Sequence, residues 1–195
     1  MNIHTPLTLA ALLALTACAP MAGPGMARFS QAHLPTEVQV PAGHSVAMET
    51  HAKGEITYQC TASKDMSAAP TWVFVGPDAA LMDRKGTQIG RYFGPPATWQ
   101  NNDGSKVTAT QVAVAPGGMG NIPLQLVKAH PATGMGAMQG VTYIQRVATR
   151  GGVAPAMACT AADVGQKQVV QYQADYIFWR AGMPSRTAST LPGSA

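Results

Sequence analysis

The sequence predicts an all-β domain, either an antiparallel sandwich or a compact barrel. Short β-rich runs alternate with turn signals between residues 38 and 180, and no stretch of a dozen residues keeps a helical 3.6-residue apolar period. Several of the turns also carry Gly or Asn where a tight hairpin needs a positive φ. The composition agrees, because 46% hydrophobic with only 11% charged residues supplies a packed core and excludes a disordered chain.

In chain order the expected strands are residues 45–51, 55–60, 72–75, 79–83, 88–93, 106–115, 123–130, 141–149 and 168–180. Gly54 and then Gly76-Pro77-Asp78 separate the first four of these runs, with Asp78 read as a turn former. Asp83-Arg84-Lys85-Gly86 and Asn102-Asp103-Gly104 predict tight hairpins before residue 88 and before Lys106. In 141–149 the alternation puts Val141, Tyr143, Gln145 and Val147 on one face and Thr142, Ile144, Arg146 and Ala148 on the other. Neither face is wholly polar, so this strand is expected to lie well inside the sheet system.

The first residues follow a different rule. Residues 7–15 read LTLAALLAL, an uncharged apolar run too short to cross a bilayer as a helix of about 20 residues but of signal-peptide length. Leu15-Thr16-Ala17-Cys18 follows at once and resembles a bacterial lipobox, in which cleavage before the cysteine leaves it lipidated. The expected layout is a signal peptide at 1–17, a lipidated Cys18 with a flexible tether to residue 37, a single domain at 38–180 and a disordered tail at 181–195. The segment before the apolar run holds no Lys or Arg, so an ordinary secretory signal or a misassigned start is the alternative. With Ala19 after Cys18, lipoprotein analogy favours the outer membrane, facing the periplasm. The expected partners are therefore the membrane, through the Cys18 lipid, and an unknown small-molecule, glycan or protein ligand. A formal charge of +4, scattered along the chain, forms no basic stripe for nucleic acid.

Setting Cys18 aside leaves Cys60 and Cys159, which in an exported chain read as a disulfide. Closing a loop of about 100 residues is worth on the order of 4.7 kcal/mol in the chain-entropy picture. The competing reading is a reactive or metal-binding thiol, which needs an activating neighbour in space.

Several ordered blocks resemble a known family. They begin with Val40-Pro41-Ala42-Gly43, Gly54-Glu55-Ile56-Thr57-Tyr58-Gln59-Cys60, Trp72 and Val75-Gly76-Pro77-Asp78-Ala79-Ala80-Leu81-Met82-Asp83. Gly86, Ile89-Gly90, Trp99, Asp103-Gly104-Ser105, Gly140-Val141-Thr142-Tyr143-Ile144-Gln145-Arg146-Val147, Gly151-Gly152-Val153-Ala154-Pro155, Cys159 and Ala174-Asp175-Tyr176-Ile177-Phe178-Trp179-Arg180 complete the series. On these the chain resembles the domain of unknown function 3455 family (DUF3455), mostly exported proteins. The resemblance implies a shared fold and export, and no activity. The family pattern Gly-x-His-aromatic-x-Gly-Pro-Thr-Trp is altered here: Tyr92 stands where the histidine would be, with extra residues before Trp99.

Three chemistries compete for the remaining residues. A binding module would use Tyr92, Trp99 and Arg146, with Gly151 and Gly152 allowing close backbone approach; Trp99 is expected to be partly exposed because it follows a Gly/Pro loop and precedes a polar turn. The same aromatics would otherwise fill the core. A copper-binding protein would use His44 and Met48, which share a face on a regular strand, with His51, His130, Met135 and Met138 in reserve. A hydrolase would need a nucleophile with its base or two convergent carboxylates, and the sequence has no Gly-x-Ser-x-Gly elbow and no His-Glu-x-x-His helix. No cofactor is expected, and no Gly-x-Gly-x-x-Gly follows a strand to form a nucleotide site. An envelope binding module is the reading the sequence favours; copper binding and extracytoplasmic hydrolysis are the alternatives.

Overall fold

The computed structural model describes residues 29–65 and 68–182. The expected signal at 1–17, Cys18 and the expected tail beyond Gly182 lie outside the described residues, while Ala181, expected in that tail, ends the last strand. Among the described residues, eight antiparallel strands form one closed barrel: β1 His44–Thr61, β2 Thr71–Met82, β3 Gln88–Phe93, β4 Thr98–Asn101, β5 Lys106–Ala115, β6 Leu124–Ala129, β7 Val141–Gly151 and β8 Lys167–Ala181. Each strand pairs with its successor in sequence, and β1 pairs with β8 from His44 opposite Ala181 to Gln59 opposite Lys167 to close the wall. Closure removes the exposed sheet edges that an open sheet leaves unpaired.

Two pairs of expected strands are single long strands. Gly54 does not break β1; it sits opposite Ala79, where a Cβ would lie 2.2 Å from the Asp78 carbonyl oxygen. Asp78 is no turn former: it continues β2, pairs in register with Glu55 and Phe93, and accepts both Arg91 hydrogen bonds at 3.0 Å. Pro77 is tolerated within β2 because β3 pairs with that strand only over Asp78–Met82, leaving the proline just past the paired stretch. The short β4 was not foreseen.

Alternation sorts the side chains into two cores. Ala52, Ile56, Leu81, Tyr92, Trp99, Val107, Val127, Ile144, Tyr172, Tyr176 and Phe178 fill the barrel interior. Outside the wall, Leu126, Val147, Ile177 and Trp179 form a second cluster covered by Val38 and Val40, with Phe29 and Leu34 at its margin. Residues 29–37, expected to belong to a flexible tether, are therefore docked on the barrel. The reason is chemical: buried Gln145 donates to the Val38 carbonyl at 2.7 Å and to Gln31 at 3.0 Å, and accepts from the Trp179 indole at 2.8 Å. This strap explains why β7 has no polar face.

Cys60 and Cys159 form a disulfide with Cα atoms 5.6 Å apart. It ties the end of β1 to the loop that precedes β8, where Gly165 also donates to the Cys60 carbonyl at 2.8 Å.

Candidate functional site

The wall of the barrel is notched. β3 stops at Phe93 and β4 starts at Thr98, so the β3–β4 hairpin is short, whereas β2 continues back to Thr71 and β5 runs on to Ala115. β2 loses its β3 neighbour beyond Asp78, and β5 loses its β4 neighbour beyond Thr108. The gap is a cavity of about 370 Å³, at the small end of the roughly 300–1,000 Å³ usual for small-molecule sites.

Phe74 and Pro77 of β2 border this cavity on one side and Ala109 and Gln111 of β5 on the other, with Gly94, Pro95 and Ala97 of the hairpin turn at its edge. Gln125 and Val127 of β6 and Arg146 of β7 stand across from them. Tyr92 and Trp99, both buried, lie at its floor, stacked at 4.6 Å between ring centroids and 24° between planes. Tyr176 packs on both, 4.9 Å from Tyr92 and 5.6 Å from Trp99.

The sequence-predicted binding residues thus divide. Tyr92, Trp99 and Arg146, from three strands, meet at one cavity. Trp99 is 1% exposed, so the expectation of partial exposure is corrected: on β4 it points into the barrel interior and packs on Tyr92 and Tyr176. Gly151 and Gly152 are elsewhere. Both have positive φ, and a Cβ on Gly151 would lie 2.7 Å from the Gln171 carbonyl oxygen. Gly152 accepts the Tyr58 hydroxyl at 2.8 Å. They form a tight corner between β7 and the loop toward β8, and Gly151 borders only a separate groove with Lys53 and Arg150.

Phe74, Pro77, Ala109, Gln111, Gln125 and Val127 were not singled out from sequence. Nothing local marks them, because it is the length of the hairpin opposite that turns these strand residues into a lining.

The electrostatics of the cavity are one-sided. Arg146 is its one charged lining residue; its Nε donates to the Pro123 carbonyl at 3.1 Å, and no ion pair holds it among the described residues. Burial pushes the phenols of Tyr92, Tyr172 and Tyr176 above the ordinary tyrosine range, with Arg146 pulling weakly the other way. All three stay neutral across the physiological range. The Tyr176 hydroxyl lies near enough to those of Tyr92 and Tyr172 for hydrogen bonding to shift their proton affinities, whereas the buried Trp99 Nε1 has no hydrogen-bond partner among the described residues.

The copper set is not assembled. The register slips between Val46 and Met48, which flips the alternation within β1. Val46 therefore packs in the outer cluster and Met48 against the inner one, while His44 meets Tyr143 of the outer cluster edge to face at 5.0 Å. The two do not share a face. His130 bonds Thr108 and Thr110 at 2.9 Å each, Met138 is buried in the core, and Met135 is exposed. His51 pairs with Asp175 at 2.9 Å, both half-exposed. Among the described residues no three His, Cys, Asp or Glu side chains are placed to hold a metal ion.

The family model described as "Protein of unknown function (DUF3455)" matches residues 41–180. The chain belongs to this family. The DUF3455 match spans β1 to β8 apart from the final residue of β8, so the barrel and its notch lie within the family domain, and the strap at 29–40 precedes it. No curated protein and no solved structure matches the chain.

Proposed function

We propose that this DUF3455 protein is an exported envelope protein, anchored by a lipid on Cys18, whose barrel binds a small ligand in the notch between β2 and β5. The observation that carries the binding reading is the convergence of Tyr92, Trp99 and Arg146 on one cavity, where the buried Trp99 Nε1 has no partner among the described residues. Buried donors are almost always paired, so an unpaired one on a residue that lines a cavity marks a place where a ligand can complete the pairing. The anchor reading rests on the apolar run at 7–15 followed by Leu15-Thr16-Ala17-Cys18, and Ala19 favours the outer membrane, facing the periplasm.

A neutral dye, N-phenyl-1-naphthylamine, tests the cavity. It should bind the domain saturably at one site and lose that binding in Ala109→Trp, where the added ring occupies the notch. Equal binding by the filled variant would place the dye elsewhere and remove the support. For the anchor, metabolic labelling with a fatty-acid analogue should mark the protein and fail to mark Cys18→Ser.

A further inference from the structure

Given that the notch binds a small molecule, we infer that its ligand is an organic anion, a flat apolar body ending in one carboxylate, with the carboxylate held by Arg146. The inference rests on the binding reading above and adds the ligand's charge to it.

Charge selects the anion. The lining contains one guanidinium and no carboxylate. Asp78, the carboxylate that reaches Tyr172 electrostatically, is already engaged by Arg91 at 3.0 Å on both oxygens. The phenols cannot neutralise Arg146, because burial holds them protonated. A guanidinium in a partly desolvated cleft is stabilised most by a planar, bidentate oxyanion, the geometry of its own fork. Its Nε is occupied by Pro123, which leaves the two terminal nitrogens to face that oxyanion.

The rest of the lining selects the body. Phe74, Pro77, Pro95 and Val127 form an apolar wall, backed by the buried Tyr92–Trp99 stack. Flat rings pack against such surfaces with less loss of side-chain freedom than a flexible chain would require. The amide pair opposite is internally bonded, with Gln125 donating to Gln111 at 2.6 Å, which leaves one Gln125 N–H and both Gln111 N–H to donate and the Gln125 carbonyl to accept. The Trp99 Nε1–H is a further unpartnered donor beside the cavity, able to serve an oxygen but not a second cation.

A matched pair of probes, 2-naphthoate and 2-naphthamide, differs in charge and hardly in shape. Calorimetric titration of the domain is expected to show the acid binding about tenfold more tightly than the amide, as a charge-assisted pair requires. Arg146→Gln should bring the two to equal affinity, and Arg146→Lys should keep part of the preference; thermal melts of both variants confirm that they are folded. The amide binding wild type as tightly as the acid, or the preference surviving Arg146→Gln, would overturn the anion inference. If N-phenyl-1-naphthylamine still binds and is displaced by Ala109→Trp, that failure leaves the cavity reading standing. If the neutral dye also fails, the cavity reading falls with it.

Discussion

The indole Nε1 of Trp179 donates to the Gln145 side-chain oxygen at 2.8 Å within the barrel wall, and the amide nitrogen of the same Gln145 donates outward to the Val38 carbonyl at 2.7 Å. One buried amide therefore fixes strap and wall together. Gln145→Met fills the same space but leaves the Trp179 N–H and the Val38 carbonyl unpaired, at about 1–3 kcal/mol for each buried group. The expected result is a melting temperature lower by about 2–4 °C per kcal/mol lost, with faster amide exchange at residues 31–40 than across β8. Exchange unchanged in the strap would show that apolar packing alone holds it.

The disulfide makes a second expectation. Reduction, Cys60→Ala and Cys159→Ala should each destabilise the domain by about 2–5 kcal/mol. The double variant should be no worse than either single one, since all three remove the same bond. Thiol titration of the unreduced domain lacking Cys18 should find none.

Trp99 gives a third. Buried beneath Tyr92 and Tyr176, it should be silent to acrylamide in the free protein, so Trp99→Phe should leave the quenchable fraction of the emission unchanged. Trp72, only partly buried against the core and with its Nε1 bonded to the Met157 carbonyl, should account for most of that fraction. Trp99→Ala is expected to cost about 3–5 kcal/mol through the void it leaves.

Asp103 makes stability depend on acidity. The Ser105 hydroxyl at 2.6 Å, with the Ala137 and Ser105 amides, holds its carboxyl below the usual carboxylate range. Its folded value lies below its unfolded one, so its stabilisation is complete above roughly pH 4, the ordinary aspartate value, and is lost as pH falls through the folded value. The melting-temperature gap between wild type and Asp103→Asn should therefore be widest at neutral pH and close in acid. A gap independent of pH would mean that the contact is steric.

Strand identity was legible where turn chemistry bounded it. The run at 88–93 and the run at 106–115 match β3 and β5 residue for residue, because Asp83 to Gly86 and Asn102 to Gly104 mark their starts. Gly54 and Gly76 misled, since a glycine needed for close backbone approach looks the same in sequence as one needed for a turn; a Cβ on Gly76 would lie 2.2 Å from the Gly94 carbonyl oxygen. Thr98–Asn101 escaped notice because four residues between a proline turn and an Asn/Asp turn carry no period. Tyr92, Trp99 and Arg146 were legible as side chains suited to binding. Their meeting was not, because it depends on the barrel closing and on the hairpin falling short, and neither is a property of any local window.

The seam between β1 and β8 has a consequence in time. A chain that emerges amino end first, from a ribosome or a membrane pore, has β1 waiting for a partner it receives only when Lys167–Ala181 appears. Until then β1 and β7 are open edges, and pairing across more than a hundred residues makes the last step intrinsically slow. Cys159 emerges before β8, so oxidation can draw the two ends of the domain together first. Such a chain keeps open strand edges until nearly all of it has emerged and becomes a barrel only with its last strand.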